Sequence, residues 1–231
     1  MPHVRSALPA LLTAGALATL VVPATAQAQQ RGPAARSDNA YGPQKLVDKA
    51  ASVVTEMRRD PKIEPLLHRA IGLYIIPEYG RAGFIIGGKG GAGLVTTRTA
   101  RGWSAPAFFN TGGLSIGLQA GASGGSIVYL LMDRKAVDTF RTHNKVSLNA
   151  GAGLSVINYS DAAQASSNKG DAVVWTNMKG AFAGATVGAT DVHVDEGRTR
   201  DYYGRPVGVN MLLSGAVSVP GAAALTRVLP R

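Results

Sequence analysis

Residues 112–121 alternate between apolar side chains and small or polar ones. The even positions from 114 to 120 are leucine, isoleucine or alanine, whereas the odd positions are glycine, serine or glutamine. A period of two predicts a β-strand. Because glycine weakens a strand, a row of glycines needs a physical reason. We expect another backbone, or a large side chain such as Trp103 or Phe108, to lie close over this face.

The same alternation returns at residues 146–156 and 180–190 and predicts two more strands. Residues 126–132 are apolar at nearly every position, so we expect a strand buried on both faces. The first strand should end in a turn at 77–80, since Pro-Glu-Tyr-Gly is typical of turns. The remaining strand predictions are 73–76, 83–97 (one or two strands), 103–110 and 172–176.

Residues 44–59 form the clearest predicted helix, because apolar side chains recur every three or four positions and Pro43 precedes them. Shorter helices or closing segments are predicted at 64–69, 133–140 (with Asp133 as N-cap), 195–203 (closed by Gly204), 206–213 and 221–229. This order predicts an α+β, mainly β fold. We expect a glycine-rich antiparallel β sandwich or barrel with an N-terminal amphipathic helix and short closing helices.

Residues 1–28 have the three-part pattern of a secretory signal peptide: a cationic start, an uncharged apolar run and small residues in A-x-A spacing. The alternative is an uncleaved membrane anchor, but the apolar run is short and the cleavage region is well formed. We therefore expect export to the periplasm or envelope, with cleavage near Ala26 or Ala28. A disordered lead-in at 29–42 and a single domain at 43–231 should follow.

The formal net charge of +10 is spread along the chain without a long basic run. With aromatic residues at 6%, this charge fits attraction to an anionic lipid or polyanion surface better than base stacking, so we expect no nucleic-acid partner. Plain solubility is the alternative reason for the charge. The sequence has no cysteine, which excludes disulfides.

The sequence offers no arrangement typical of catalysis. It has no G-x-S-x-G motif and no thiol, and His68, His143 and His193 are far apart, so we predict neither an enzyme nor a metal site. The carboxylates at 191–201 alternate with arginines, which predicts a solvated helix and not an acid/base pair. Residues 83–90 match G-x-x-x-x-G-K, but glycine follows the lysine and no helix pattern begins there, so we interpret them as a strand turn.

Six stretches of the chain resemble the SYLF family, also called the Ysc84-type actin- and lipid-binding domain, in order and in spacing. They lie at 70–77, 83–93, 102–108, 112–121, 180–184 and 202–204. The resemblance extends from residue 44 to about residue 213. It implies a non-enzymatic protein without a cofactor. Eukaryotic members are associated with phosphoinositide-rich membranes and, in fungi, with actin filaments.

Lipid contact in that family is attributed to the basic amphipathic helix at the start of the domain, which matches 44–59 here. This helix also carries two acidic residues, Asp48 and Glu56. If its apolar face is buried in the domain, we expect Lys45, Lys49 and Arg59 to point outward. The candidate lipid-binding residues, including neighbours in sequence and the lysine of the glycine-rich loop, are Lys45, Lys49, Arg58, Arg59, Lys62, Arg69 and Lys89.

An exported chain would not meet actin, so the expected partner is a membrane with anionic phospholipid or phosphoinositide-like headgroups. The first functional hypothesis is a non-enzymatic lipid-binding module of the bacterial envelope. The alternative is a structural or protein-interaction envelope protein that binds no lipid, with helix 44–59 packed inward on the sheet.

Overall fold

The computed structural model describes residues 42–80, 90–115, 124–149, 153–159, 170–178 and 188–231. The predicted signal peptide, the lead-in up to residue 41, the glycine-lysine motif at 83–90 apart from Gly90, and residues 116–121 of the alternating strand lie outside these residues. The predictions made for them stay predictions.

Six α-helices lie in the described residues, and each falls in a segment where the sequence predicted a helix or a closing segment. Asp133 caps one helix as predicted, because its Oδ1 accepts a hydrogen bond from the Ala136 N–H at 2.9 Å. Gly204 ends another with φ of 67°, a left-handed conformation that favours glycine. The helices are α1 (Pro43–Met57), α2 (Glu64–Arg69), α3 (Arg134–Thr142), α4 (Glu196–Tyr203), α5 (Val209–Leu213) and α6 (Ala223–Val228), which follows a 3₁₀ turn at Pro220–Ala222.

The described strands form one nine-stranded sheet. They are β1 (Gly72–Tyr79), β2 (Gly91–Thr99), β3 (Gly102–Trp103), β4 (Ala107–Ser115), β5 (Gly125–Leu131), β6 (Lys145–Leu148), β7 (Val156–Asn158), β8 (Ala172–Thr176) and β9 (Gly188–Val194). Their order is β6-β9-β4-β2-β1-β5-β8-β7, and β3 pairs with β2. The sheet curls into a nearly closed barrel, which confirms the predicted α+β, mainly β class. The pair β7 and β8 runs parallel, in contrast to the antiparallel sheet that we expected.

The two faces of the sheet belong to two hydrophobic cores, because successive side chains of a strand point to opposite faces. Tyr74 of β1 belongs to the first, which we call the aromatic core; it also holds Tyr129, Phe109 and Phe140. Leu73 and its partners on the other face form the second, the helical core, together with α1, α2 and α6. Strand β5 contributes to both cores and is buried on both faces from residue 126 to 131, as predicted.

Strand predictions were wrong at three places. The predicted strand 103–110 is interrupted at 104–106, and β4 continues through 107–115 across the break that we expected before residue 112. Residues 77–79 do not turn, because β1 continues to Tyr79 with an irregular register against β5 between Ile76 and Tyr79. Ser126 Oγ donates a hydrogen bond to the Pro77 carbonyl at 2.8 Å within this irregular stretch. The alternating stretch 146–156 is not one strand but two, β6 and β7, at opposite ends of the strand order. Alternation specifies the faces of a strand, but it does not specify the partner of each half.

Glycine does permit a close approach in β2. A Cβ atom added to Gly93 would lie 2.8 Å from the Ile75 carbonyl oxygen and 2.8 Å from Tyr74 Cε2. Gly112 lies on the opposite face of β4 from the predicted glycine row and has the Asp191 carboxylate beside it. The expected cover of the glycine row at 113–121 by Trp103 or Phe108 stays a prediction. The close approach therefore occurs in β2, through the backbone of β1.

Candidate functional site

The apolar face of α1 is buried inside the domain. Helix α1 begins at Pro43, whose fixed φ suits the first helical position, and its apolar side chains lie in one stripe. They pack in the helical core against β1 and α6. The fully or almost fully buried residues are Leu46, Val47, Ala50, Ala51, Val53, Val54 and Met57. In the folded domain, α1 can therefore meet a membrane only through its polar side chains.

Two of the predicted lipid-binding residues, Lys49 and Arg58, instead form contacts that join elements of the fold. The Lys49 ammonium is half-buried and forms an ion pair with Glu78 of β1. The Arg58 guanidinium contacts both carboxylate oxygens of Glu64, at 2.6 and 3.0 Å. Arg58 also donates a hydrogen bond to the Val228 carbonyl of α6 at 2.6 Å. Sequence position alone could not distinguish these residues from freely exposed ones, because their partners lie on other elements.

Four other predicted residues are exposed on α1, α2 and the turn between them: Lys45, Arg59, Lys62 and Arg69. We call these four side chains the α1–α2 patch. The remaining candidate, Lys89, lies outside the described residues.

Asp60 lies inside the patch and keeps its negative charge at neutral pH. Tyr159 donates a hydrogen bond to the Asp60 carboxylate, and the backbone N–H of Lys62 donates another at 2.9 Å. These bonds, and then the charge of Lys62, hold the pKa of Asp60 below its usual range. Together with Asp48 and Glu56, this carboxylate dilutes the positive field of the patch. Any attraction to anionic headgroups must then be weak and local.

The carboxylate and arginine cluster at 191–201 is not the solvated helix that we expected. Asp195 and Arg198 are buried, with an ion pair of 2.7 Å between Asp195 Oδ2 and Arg198 Nη1. Asn110 of β4 donates a hydrogen bond to the same Asp195 oxygen at 3.0 Å. The group joins α4 to the sheet. The i,i+3 spacing of Asp195 and Arg198 signals a local pair, but nothing in the sequence shows its burial.

A cleft of about 670 Å³ lies between the β2–β3 region and the segment 215–219, with α6 as its third wall. Its polar lining includes Arg101, whose Nη2 donates a hydrogen bond to the Gly215 carbonyl at 2.7 Å. The sequence did not indicate this cleft, because its walls are more than 100 residues apart in the chain. It shares no lining residue with the α1–α2 patch.

The histidines do not form a site within the part of the chain that the structure describes. His68, His143 and His193 are all exposed and lie on α2, after α3 and on β9 respectively. Across the described ranges, no group of three or more His, Cys, Asp or Glu side chains is arranged to hold a metal ion. None of the described helices combines the length and apolar character that a membrane crossing requires.

A family model, Ysc84, described as "Las17-binding protein actin regulator", matches residues 112–231. The chain is 33% identical over 178 residues to Protein YSC84 of Saccharomyces cerevisiae, which covers 74% of this chain and 38% of that protein. It is 32% identical over 178 residues to LAS seventeen-binding protein 3 of the same yeast, with 74% and 39% covered.

A mammalian relative is more distant. SH3 domain-containing YSC84-like protein 1 of Bos taurus is 28% identical over 187 residues, covering 76% of this chain and 54% of that protein. The chain thus spans about two fifths of the yeast relatives and about half of the bovine one.

Proposed function

The chain belongs to the Ysc84 family, and on that premise we propose that it is a non-enzymatic module that binds anionic membrane surfaces in the bacterial envelope. The observation that carries this proposal is the division of α1 into a fully buried apolar face and an outward polar face. The outward face and the neighbouring turn display Lys45, Arg59, Lys62 and Arg69. Binding through these side chains needs no unfolding and no insertion of α1.

The expected affinity is low. A Lys or Arg near an anionic bilayer contributes about 1 kcal/mol. Four such groups would give at most about 4 kcal/mol, which corresponds to a dissociation constant of about 1 mM. Salt should weaken the binding strongly, because the screening length is about 10 Å at 0.1 M ionic strength. Stable attachment would need many copies on one membrane or a second contact.

Export forms part of the proposal and is supported by the signal-peptide pattern of residues 1–28. The family description names an actin regulator, and one relative is named as a Las17-binding protein. These names support a second candidate function, a protein-interaction module. We favour lipid for this chain because an exported protein does not meet actin.

Sedimentation with vesicles tests the proposal. The purified protein should sediment with phosphatidylglycerol vesicles at low salt, and much less with phosphatidylcholine vesicles or at 0.5 M salt (about 4 Å screening length). The triple variant Lys45→Glu, Arg59→Glu, Lys62→Glu should abolish sedimentation. Its matched control changes three exposed arginines elsewhere to glutamate, namely Arg134, Arg200 and Arg205.

Both triple variants change the net charge equally. Loss of binding in the first and retention in the second would support the α1–α2 patch. Equal loss in both would show an attraction to net charge without a site. Absence of binding in the unchanged protein would favour the protein-interaction module.

A further inference from the structure

The cleft beside β3 has the size of a small-ligand site. Its volume of about 670 Å³ lies between residues 99–105 on one side and 215–219 on the other. Binding sites for small molecules typically have about 300–1,000 Å³ and walls that are mostly apolar with a few placed polar groups. The cleft meets both conditions, since Trp103, Val217, Val219 and Leu229 line it together with Arg101.

The charged side chains of the cleft are basic. Its lining includes two arginines, Arg101 and Arg231, and no aspartate or glutamate. Because Arg231 also bears the terminal carboxylate, the net positive charge comes from Arg101. The Arg101 guanidinium donates a hydrogen bond through Nη2 to the Gly215 carbonyl. This bond holds one nitrogen of the planar group in place. Arg98 stacks on the Trp103 ring, with its central carbon 4.8 Å from the ring centroid, and adds positive charge behind that wall. An anionic group is therefore the complementary occupant.

Residues 216–218 form one wall of the cleft. Their backbone N–H groups have no hydrogen-bond partner among the described residues, although the segment lines the cleft. Neighbouring Val219 has extended dihedral angles, φ −140° and ψ 136°. An unpaired N–H group can donate to a carboxylate or phosphate oxygen. The same segment presents valine side chains, which favour an apolar chain alongside.

We propose that this cleft binds a single amphiphilic anion, one acyl chain carrying a carboxylate or phosphate head. The head lies at Arg101, and the chain lies against Trp103, Val217 and Leu229. This inference rests on the proposed lipid function and extends it from a membrane surface to one lipid molecule. The α1–α2 patch and the cleft share no residue, so each can fail without the other.

Fluorescence of Trp103 tests the proposal. The chain has two tryptophans, so Trp175→Phe leaves Trp103 as the reporter. Sodium dodecanoate, added as monomer below its critical micelle concentration, should change the emission saturably and protect Trp103 from acrylamide quenching. Acetate supplies the head without a chain, and dodecyl maltoside supplies the chain without a charge. Both should bind at least tenfold more weakly, and equal binding of dodecanoate and dodecyl maltoside would overturn the anion assignment.

Dodecyl phosphate, also used as monomer, separates the two possible heads. Tighter binding of dodecyl phosphate than of dodecanoate would point to a phospholipid-derived ligand, and the reverse to a free fatty acid. Either order supports the cleft. If neither compound produces a saturable change at Trp103, the proposal is wrong.

A matched pair of variants locates the site. Val217→Asp and Val217→Asn place nearly the same shape in the cleft and differ in charge. We expect Val217→Asp to bind dodecanoate about tenfold more weakly than Val217→Asn, while Arg134→Ala, on α3, binds as the unchanged protein does. Equal affinities for the two Val217 variants would overturn the assignment.

If Val217→Asp does not fold, Arg101→Gln in the Trp175→Phe background gives the same comparison against Arg134→Ala. Vesicle sedimentation of each variant is measured in parallel. A variant that loses dodecanoate binding but still sediments with vesicles has lost only the cleft site. A variant that still binds dodecanoate but no longer sediments has lost only the α1–α2 patch.

Discussion

Lys49 of α1 forms an ion pair with Glu78 of β1, 29 positions further along the chain. A residue expected to point toward a membrane thus ties the first helix to the first strand. Lys49→Glu would place two carboxylates together, and we expect it to lower stability by about 1 kcal/mol, the upper range for a partly exposed pair. Chemical denaturation of the unchanged protein and of Lys49→Glu measures the difference in the free energy of unfolding.

The charge-reversed double variant Lys49→Glu, Glu78→Lys tests whether the ion pair itself contributes to stability. It should regain most of the lost stability, because the pair is restored with opposite polarity. A double variant as unstable as the sum of the two single variants would show that the pair has no coupling. The matched control is Lys45→Glu, which changes an exposed lysine on the same helix.

The buried pair of Arg198 and Asp195 should be more sensitive than any surface charge. Arg198→Ala leaves the Asp195 carboxylate buried without its guanidinium partner, and such changes typically cost about 3–5 kcal/mol. Arg200→Ala, on the exposed side of the same helix, should change stability by less than about 0.5 kcal/mol. Urea unfolding of both variants tests this, and similar midpoints would contradict it.

Gly93→Ala tests the close approach of β2 to β1. Its added Cβ would meet the Ile75 carbonyl oxygen at 2.8 Å, and a backbone atom cannot move away easily. We expect a loss of about 1–3 kcal/mol, as for other overpacked cores. Gly208→Ala is the control, because a Cβ there meets no atom within 4 Å. A thermal midpoint of Gly93→Ala equal to that of the control would refute the close contact.

Acid should weaken the contact between Asp60 and Tyr159. The pKa of Asp60 is lowered in the folded protein, first by the Tyr159 hydroxyl, so this carboxylate stabilises the fold above its unfolded pKa of about 3.9. The contribution is lost as the pH falls through the folded pKa. The difference in thermal midpoint between the unchanged protein and Asp60→Asn should therefore shrink as the pH is lowered from 7 to below the unfolded pKa. A constant difference across this range would exclude the linkage.

The N-terminus of the protein from the envelope fraction tests the predicted export. Cleavage after Ala26 or Ala28 would give a chain that begins at Gln27 or Gln29. Mass spectrometry of the intact protein distinguishes these two starts from Met1. A chain retained in the membrane with Met1 would indicate an anchor.

Elements with local signals could be predicted from the sequence. Helix α3 has its cap at Asp133, and α4 ends at a left-handed Gly204, so both were found near their true bounds. The division of 146–156 between two ends of the sheet could not be found, because strand partners are chosen by long-range packing.

The candidate site shows the same limit. Exposure of Lys45 follows from helical periodicity, whereas Arg59 lies in the turn after α1. Lys49 contacts Glu78, and Arg58 contacts the Val228 carbonyl of α6. These partners lie near only in the folded chain, so the sequence could not reveal them. The Arg101 cleft depends on contacts over more than 100 residues, beyond the reach of any local pattern.

The packing of α1 against α6 has a consequence for the order of biosynthesis. Arg58 and Val228, which join these helices, are 170 positions apart. A ribosome or translocon releases the chain from its N-terminus, so α1 emerges with its apolar stripe long before α6 can cover it. A newly made chain therefore passes through a stage in which the part of the α1 stripe that α6 covers in the folded domain has no cover from α6.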